Sequence, residues 1–126
     1  MENMNFKELT KAELELMQIV WSKGEVILSE IVDGYPVENR PAYPTISTIV
    51  RILVKKGFLK YKTYGKTNLY SAAVSKESYR KEIVKNTLST FFNNSPLELV
   101  SCLSEQCTLS ADQYQELKNL IEGNKK

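Results

Sequence analysis

The sequence predicts a mainly α protein with a small β-hairpin wing: a winged helix-turn-helix followed by a C-terminal helical dimerisation region. Three observations predict it. Apolar residues recur at helical spacing through most of the chain, and the period switches to two only around a Gly65-Lys66 turn. Capping signals break the helical stretches into short pieces. Between Glu38 and Glu77 there is no acid, while Arg40, Arg51, Lys55, Lys56, Lys60, Lys62, Lys66 and Lys76 all fall there, in a chain of 126 residues with net charge +2. The remainder is therefore net acidic, an asymmetry expected of a polyanion-binding face on an acidic body.

The elements follow in order. A polar arm, Met1 to Lys7, leads to Thr10-Lys11-Ala12-Glu13, a capping box that starts the first helix. Leu14, Met17 and Trp21, with Leu16 and Val20, carry it to about Ser22, and Gly24 ends it. Val26-Ile27-Leu28 reads as a minor strand, and Ser29 as the cap of a short second helix from Glu30 to about Gly34. Pro36, Asn39 and Pro41 make residues 35–42 a turn. The third helix begins near Pro44. Ile46, Ile49, Val50 and Leu53 give it one buried face, and Gly57 stops it after Lys55-Lys56. Residues 58–64 and 67–74 form the two strands of the hairpin, with Lys60 and Lys62 on one face. A long helix from Ser75 to about Asn93 carries Tyr79, Ile83, Leu88 and Phe91. Ser95-Pro96-Leu97-Glu98 starts another, with Leu99, Val100 and Leu103. Ser110-Ala111-Asp112-Gln113 starts the last, with Tyr114, Leu117, Leu120 and Ile121 on one face.

Composition narrows the function. There is no histidine, the commonest general base and metal ligand, and no nucleophile–base pair or metal set is visible, so no enzyme and no cofactor are expected. No apolar run long enough to span a membrane and no basic-then-apolar leader pattern is read, so a cytoplasmic location is expected. Cys102 and Cys107 are expected to be reduced.

Helix, short strand, helix, turn, helix, hairpin is the order in which a third helix enters a DNA major groove and a wing lies on the backbone. Arg51 suits a bidentate contact to guanine O6/N7. Thr45 and Thr48 offer methyls to thymine and hydroxyls to phosphate or base. Tyr43, Ser47 and Lys55 share the polar side. Lys60, Lys62 and Lys66 on the wing suit phosphates. The expected domains are 1–74, which binds double-stranded operator DNA, and 75–126. The latter is too small to hold a sizeable core alone. A second copy packed on Ile83, Leu88, Phe91, Val100, Leu103, Leu117, Leu120 and Ile121 makes a two-fold homodimer and presents two recognition helices to two half-sites.

The stretch from Lys11 to Trp21 (KAELELMQIVW) and that from Thr45 to Phe58 (TISTIVRILVKKGF) resemble the penicillinase/methicillin-resistance repressor family, of BlaI, MecI and CopY type. The likeness runs essentially end to end. It implies a dimeric repressor on dyad operators ahead of β-lactam or copper resistance genes. In the β-lactam branch it implies a membrane sensor-transducer that triggers proteolysis in the C-terminal region, and in the copper branch metal on C-terminal cysteines. The chain departs from the pattern in three places. Ile52 precedes Leu53 where members often have arginine, here one position earlier at Arg51. The cleaved Asn-Phe bond has no match beyond Asn5-Phe6, and its place falls near Ser101-Cys102. Of the copper branch's four cysteines only the inner pair is present, with Val100 and Leu109 at the outer positions, so Cys102 and Cys107 read as free structural thiols. A metal- or ligand-responsive regulator and a winged-helix protein–protein assembly module are the competing readings.

Overall fold

The computed structural model describes residues 7–106 and 110–123. Its elements are α1 (Lys11–Lys23), α2 (Leu28–Gly34), a 3-10 turn (Val37–Asn39), α3 (Tyr43–Lys56), β1 (Leu59–Tyr64), β2 (Thr67–Ala72), α4 (Lys76–Phe91), α5 (Pro96–Gln106) and α6 (Ala111–Gly123). The described residues up to Arg80 form one compact unit and those from Lys81 a second, so the division falls inside α4.

Thr10 starts α1 as expected. Its hydroxyl accepts the Glu13 N–H at 3.2 Å and the Glu13 carboxylate accepts the Thr10 N–H at 3.0 Å. The residues of α1 that are fully buried are Leu16, Met17 and Val20, while Trp21 on its flank is half-buried. Ser29 does not cap α2. The helix begins one residue before it, from an extended Ile27 whose N–H is taken by the Glu30 carboxylate at 2.9 Å. Nor do residues 26–28 form a strand. Val26 makes one bridge to Tyr70, the two exchanging N–H···O bonds of 2.9 and 2.7 Å. Gly34 ends α2 where α1 passes close by: a Cβ there would collide with Ile19 Cγ2 and lie 3.3 Å from Lys23 Cε.

Helix α3 buries Ile46, Ile49, Val50 and Leu53, the face its spacing predicts, against α1, α2 and β1. Each such side chain contributes roughly 1.5–3 kcal/mol by leaving water. Gly57 closes the helix in the left-handed region (φ 89°), which lets the Phe58 N–H reach back to the Leu53 carbonyl at 2.9 Å. The two strands pair antiparallel, from Leu59 with Ala72 to Tyr64 with Thr67. Gly65, at φ 62°, leads the two-residue turn, the place a II′ hairpin reserves for glycine. β2 stops at Ala72, short of Val74; the Ala73 N–H still donates to the Phe58 carbonyl at 2.8 Å, and the Val74 carbonyl accepts the Trp21 indole N–H at 2.9 Å.

Tyr79 in the first turn of α4 is buried in this unit. Its ring meets Phe58 edge-on at 5.8 Å and lies 6.0 Å from Trp21, and its hydroxyl accepts the Leu9 N–H at 2.8 Å. Burial pushes the Tyr79 hydroxyl above its ordinary pKa.

In the second unit, Asn93 and Asn94 lie left-handed (φ 52° and 60°) between α4 and α5. Asparagine tolerates that region better than most residues. The Ser95 hydroxyl accepts the Glu98 N–H at 3.1 Å, and Ser110 and Gln113 cap α6 with reciprocal bonds of 3.1 Å.

Candidate nucleic-acid interface

On α3 the side opposite the core carries Thr45, Thr48, Arg51 and Lys55, all exposed, with Ser47 half-buried on one flank and Tyr43 exposed at the start. This follows from the 3.6-residue period. Once Ile46, Ile49, Val50 and Leu53 are turned inward, positions 48, 51 and 55 point outward. The Arg51 guanidinium bends toward the helix N-terminus, donating from Nη1 to Ser47 Oγ at 3.1 Å and from Nη2 to Thr48 Oγ1 at 3.2 Å. The Thr48 hydroxyl in turn donates to the Pro44 carbonyl at 3.0 Å.

Lys60 and Lys62 are exposed on one face of β1, and Lys66 stands in the turn. Tyr64 shares the lysine face, and its ring is exposed. The opposite face of the hairpin is laced together by Tyr61 against Tyr70 at 5.7 Å and by the Thr63 hydroxyl bonding the Asn68 amide oxygen at 2.8 Å.

Two cations of the acid-free stretch turn to the protein instead. Lys56 Nζ lies 2.9 Å from each carboxylate oxygen of Glu13, which is 6% exposed. Burial raises the pKa of that carboxyl. The Thr10 N–H and the Lys56 ammonium outweigh burial and hold it below the usual range. Arg40 donates to the carbonyls of Tyr35 at 2.9 Å and Asp33 at 3.3 Å, bracing the turn before α3. The buried Tyr35 hydroxyl is pushed to about 12 by burial and by Glu15.

Two further exposed side chains, neither expected from the sequence to be a DNA contact, stand on these faces. Ile52, 40% exposed, lies on the outer half of α3 beside Thr48, and its spacing of seven from Thr45 is the signal that would have placed it there. Tyr64 ends the first strand expected from the sequence, and its period-two relation to Lys60 and Lys62 is the signal that puts it on their face.

Of the residues expected at a dimer seam, Phe91 and Leu120 are widely exposed, at 74% and 63%, whereas Val100 is buried. Ile83, Leu88, Leu103 and Leu117 are half-buried. The side chain of Ile121 lies outside the described residues, as do Cys107, Leu109 and the N-terminal arm with Asn5-Phe6. Cys102 is a free thiol, half-buried on α5, next to an exposed Ser101. Among the described residues no group of three or more Cys, Asp or Glu is placed to hold a metal, and no helix is long and apolar enough to cross a membrane.

Comparison with known proteins gives a consistent outcome. The family profile described as penicillinase repressor matches residues 9–123. The methicillin resistance regulatory protein MecI of Staphylococcus aureus is 29% identical over 126 residues, the whole of both chains. The penicillinase repressor of Bacillus licheniformis is 25% identical over 118 residues, covering 94% of this chain and 92% of its own. An uncharacterised 16.5 kDa protein of Latilactobacillus sakei is 30% identical over 93% of this chain and 80% of its own length. Among solved structures, the DNA-binding domain of the repressor BlaI aligns with a TM-score of 0.51 at 25% identity, over 57% of this chain and 88% of that one. Monomeric Bacillus licheniformis BlaI in complex with the blaP half-operator aligns with a TM-score of 0.50 at 25% identity, over 58% and 89%.

Proposed function

Because the chain belongs to the penicillinase repressor family, we propose that it represses transcription by binding a dyad operator as a homodimer and so occluding a promoter. It is a DNA-binding transcriptional repressor and not an enzyme. The finer reading is supported above all by the outer face of α3: exposed, free of acids, and backed by a core that fixes its orientation.

In this reading α3 enters the major groove. Arg51 reads a guanine, Thr45 and Thr48 turn methyls toward thymine, and Tyr43, Ser47 and Lys55 fill the rest of the contact. Lys60, Lys62 and Lys66 neutralise phosphates from the wing, which sets the register without reading sequence. Two copies associate through the apolar residues of α4, α5 and α6, where Phe91 and Leu120 stand exposed in the single chain. The protein acts in the cytoplasm. It controls a resistance operon and is released by an inducing signal such as proteolysis by a sensor-transducer or protease.

The test is binding to the DNA upstream of its own gene, against random duplex, across a salt series. The expected result is selective binding that weakens steeply with salt, because each phosphate contact releases a counterion. Weak or unselective binding at every salt concentration would favour the assembly module, or a regulator that needs an effector before it reads DNA.

A further inference from the structure

The polar side chains on the outer face of α3 are bonded to one another before any duplex is present. Ser47 and Thr48 lie four and three residues before Arg51, so all three share one face. Both hydroxyls accept from the same guanidinium, at 3.1 and 3.2 Å. Thr48 spends its only proton on the Pro44 carbonyl, at 3.0 Å, and this turns its lone pairs toward Arg51.

We infer that Ser47 and Thr48 are positioning residues for Arg51, presetting its fork over the N-terminal half of α3, and that selectivity for guanine depends on this preset geometry rather than on the hydroxyls' own contacts to DNA. The inference rests on the proposal that α3 is the helix in the groove. It changes the role of two residues within that proposal.

The geometry suits the task. A guanidinium has five N–H donors, and two are taken, which leaves one on each Nη as well as the Nε–H. The O6/N7 edge of guanine needs two donors in one plane. The N-terminal residues of a recognition helix come nearest the base edges, and the guanidinium lies folded back over those residues. An arginine left free must give up its rotamer freedom on binding, whereas one already held has less to lose.

The test uses the full chain and a duplex it enriches from a random pool. Affinities are measured at one salt concentration for Ser47→Ala, Thr48→Val, Arg51→Ala and the two double variants. Each protein is also measured on duplexes with single G·C pairs replaced, and thermal unfolding is followed for each. Arg51→Ala is expected to abolish discrimination at one G·C pair. Ser47→Ala and Thr48→Val should each weaken the selected duplex about threefold to tenfold. Both losses should vanish in the Arg51→Ala background and on the duplex lacking that guanine. Ser47→Thr, which keeps the acceptor, should retain the affinity. Losses of equal size with and without Arg51 would show that the hydroxyls touch DNA themselves and would overturn the inference. If Thr48→Val fails to fold, the Ser47 cycle decides alone. If no sequence is enriched by the wild-type protein, the groove-reading role of α3 fails first, an outcome distinct from any result of the cycles.

Discussion

Lys56 at the end of α3 places its ammonium 2.9 Å from both carboxylate oxygens of Glu13 in the first turn of α1. That carboxylate is almost fully buried and also accepts the Thr10 N–H, so one side chain caps α1 and holds α3 to it. Lys56 therefore belongs to the scaffold that fixes α3, although it sits in the same acid-free stretch as the wing lysines.

Lys56→Met should lower stability by about 1–3 kcal/mol, because it leaves a buried carboxylate with half its partners. Urea unfolding measures this. An unchanged midpoint would show that the pair contributes nothing. The salt slope of DNA binding should stay where it is, since this lysine faces the protein.

The same pair gives a pH dependence. The Glu13 carboxyl is held below its ordinary value of 4.5 in the folded chain, so its contribution to stability is complete above the unfolded value. That contribution is lost as the pH falls through the lower, folded value, when the folded state must take up a proton. Unfolding curves between neutral and acid pH should lose part of their steepness with pH in Glu13→Gln. An identical pH profile in that variant would assign the acid sensitivity to other carboxylates.

Lys60→Ala or Lys62→Ala should weaken selected and random duplex alike and reduce the salt slope by about one unit each. A slope that does not move would take the wing lysines off the phosphates. Arg51→Ala is expected to behave in the opposite way, costing about 1–3 kcal/mol on the selected duplex and little on random DNA. Equal losses on both would make Arg51 a phosphate contact.

In the homodimer proposed above, Leu120→Asp should separate the two copies, since it sets a charge without a partner into an apolar seam. The residue is 63% exposed in the single chain, so α6 itself should tolerate the change. Sedimentation of the variant as a dimer would remove this part of α6 from the interface.

Tyr79→Phe should cost about 1–3 kcal/mol, because the buried N–H of Leu9 loses its acceptor. Thermal unfolding measures it. A neutral result would mean that water replaces the hydroxyl.

Local signals carried much of the architecture into the sequence. Thr10-x-x-Glu13 and Ser110-x-x-Gln113 announce the starts of α1 and α6 because both halves of each box lie three residues apart. The four buried residues of α3 are spaced as one face, which makes the outer face legible as well. Ser29 misled because serine is a better cap by composition than Ile27. The backbone turned two residues earlier, at Ile27, and Glu30 satisfied Ile27 from inside the helix. The Lys56–Glu13 pair spans 43 positions, and the Trp21 indole bond to Val74 spans 53, so no local pattern announces either. The bonds from Arg51 to Ser47 and Thr48 have the right spacing, but spacing alone does not choose among the rotamers of an exposed arginine.

The bridge between Val26 and Tyr70 divides the wing into a braced base and an unbraced tip. Near it, the hairpin is joined to a third segment and stands on buried Leu59. Beyond Thr63 and Asn68 it is an isolated two-stranded ribbon, and such ribbons are marginal in water. Amide hydrogens around Gly65 should therefore exchange with solvent far faster than those of Val26 and Tyr70. A duplex lying against Lys62 and Lys66 would slow exchange mainly at the tip, so the wing would record the encounter as a loss of motion at its free end while its base stayed as it was.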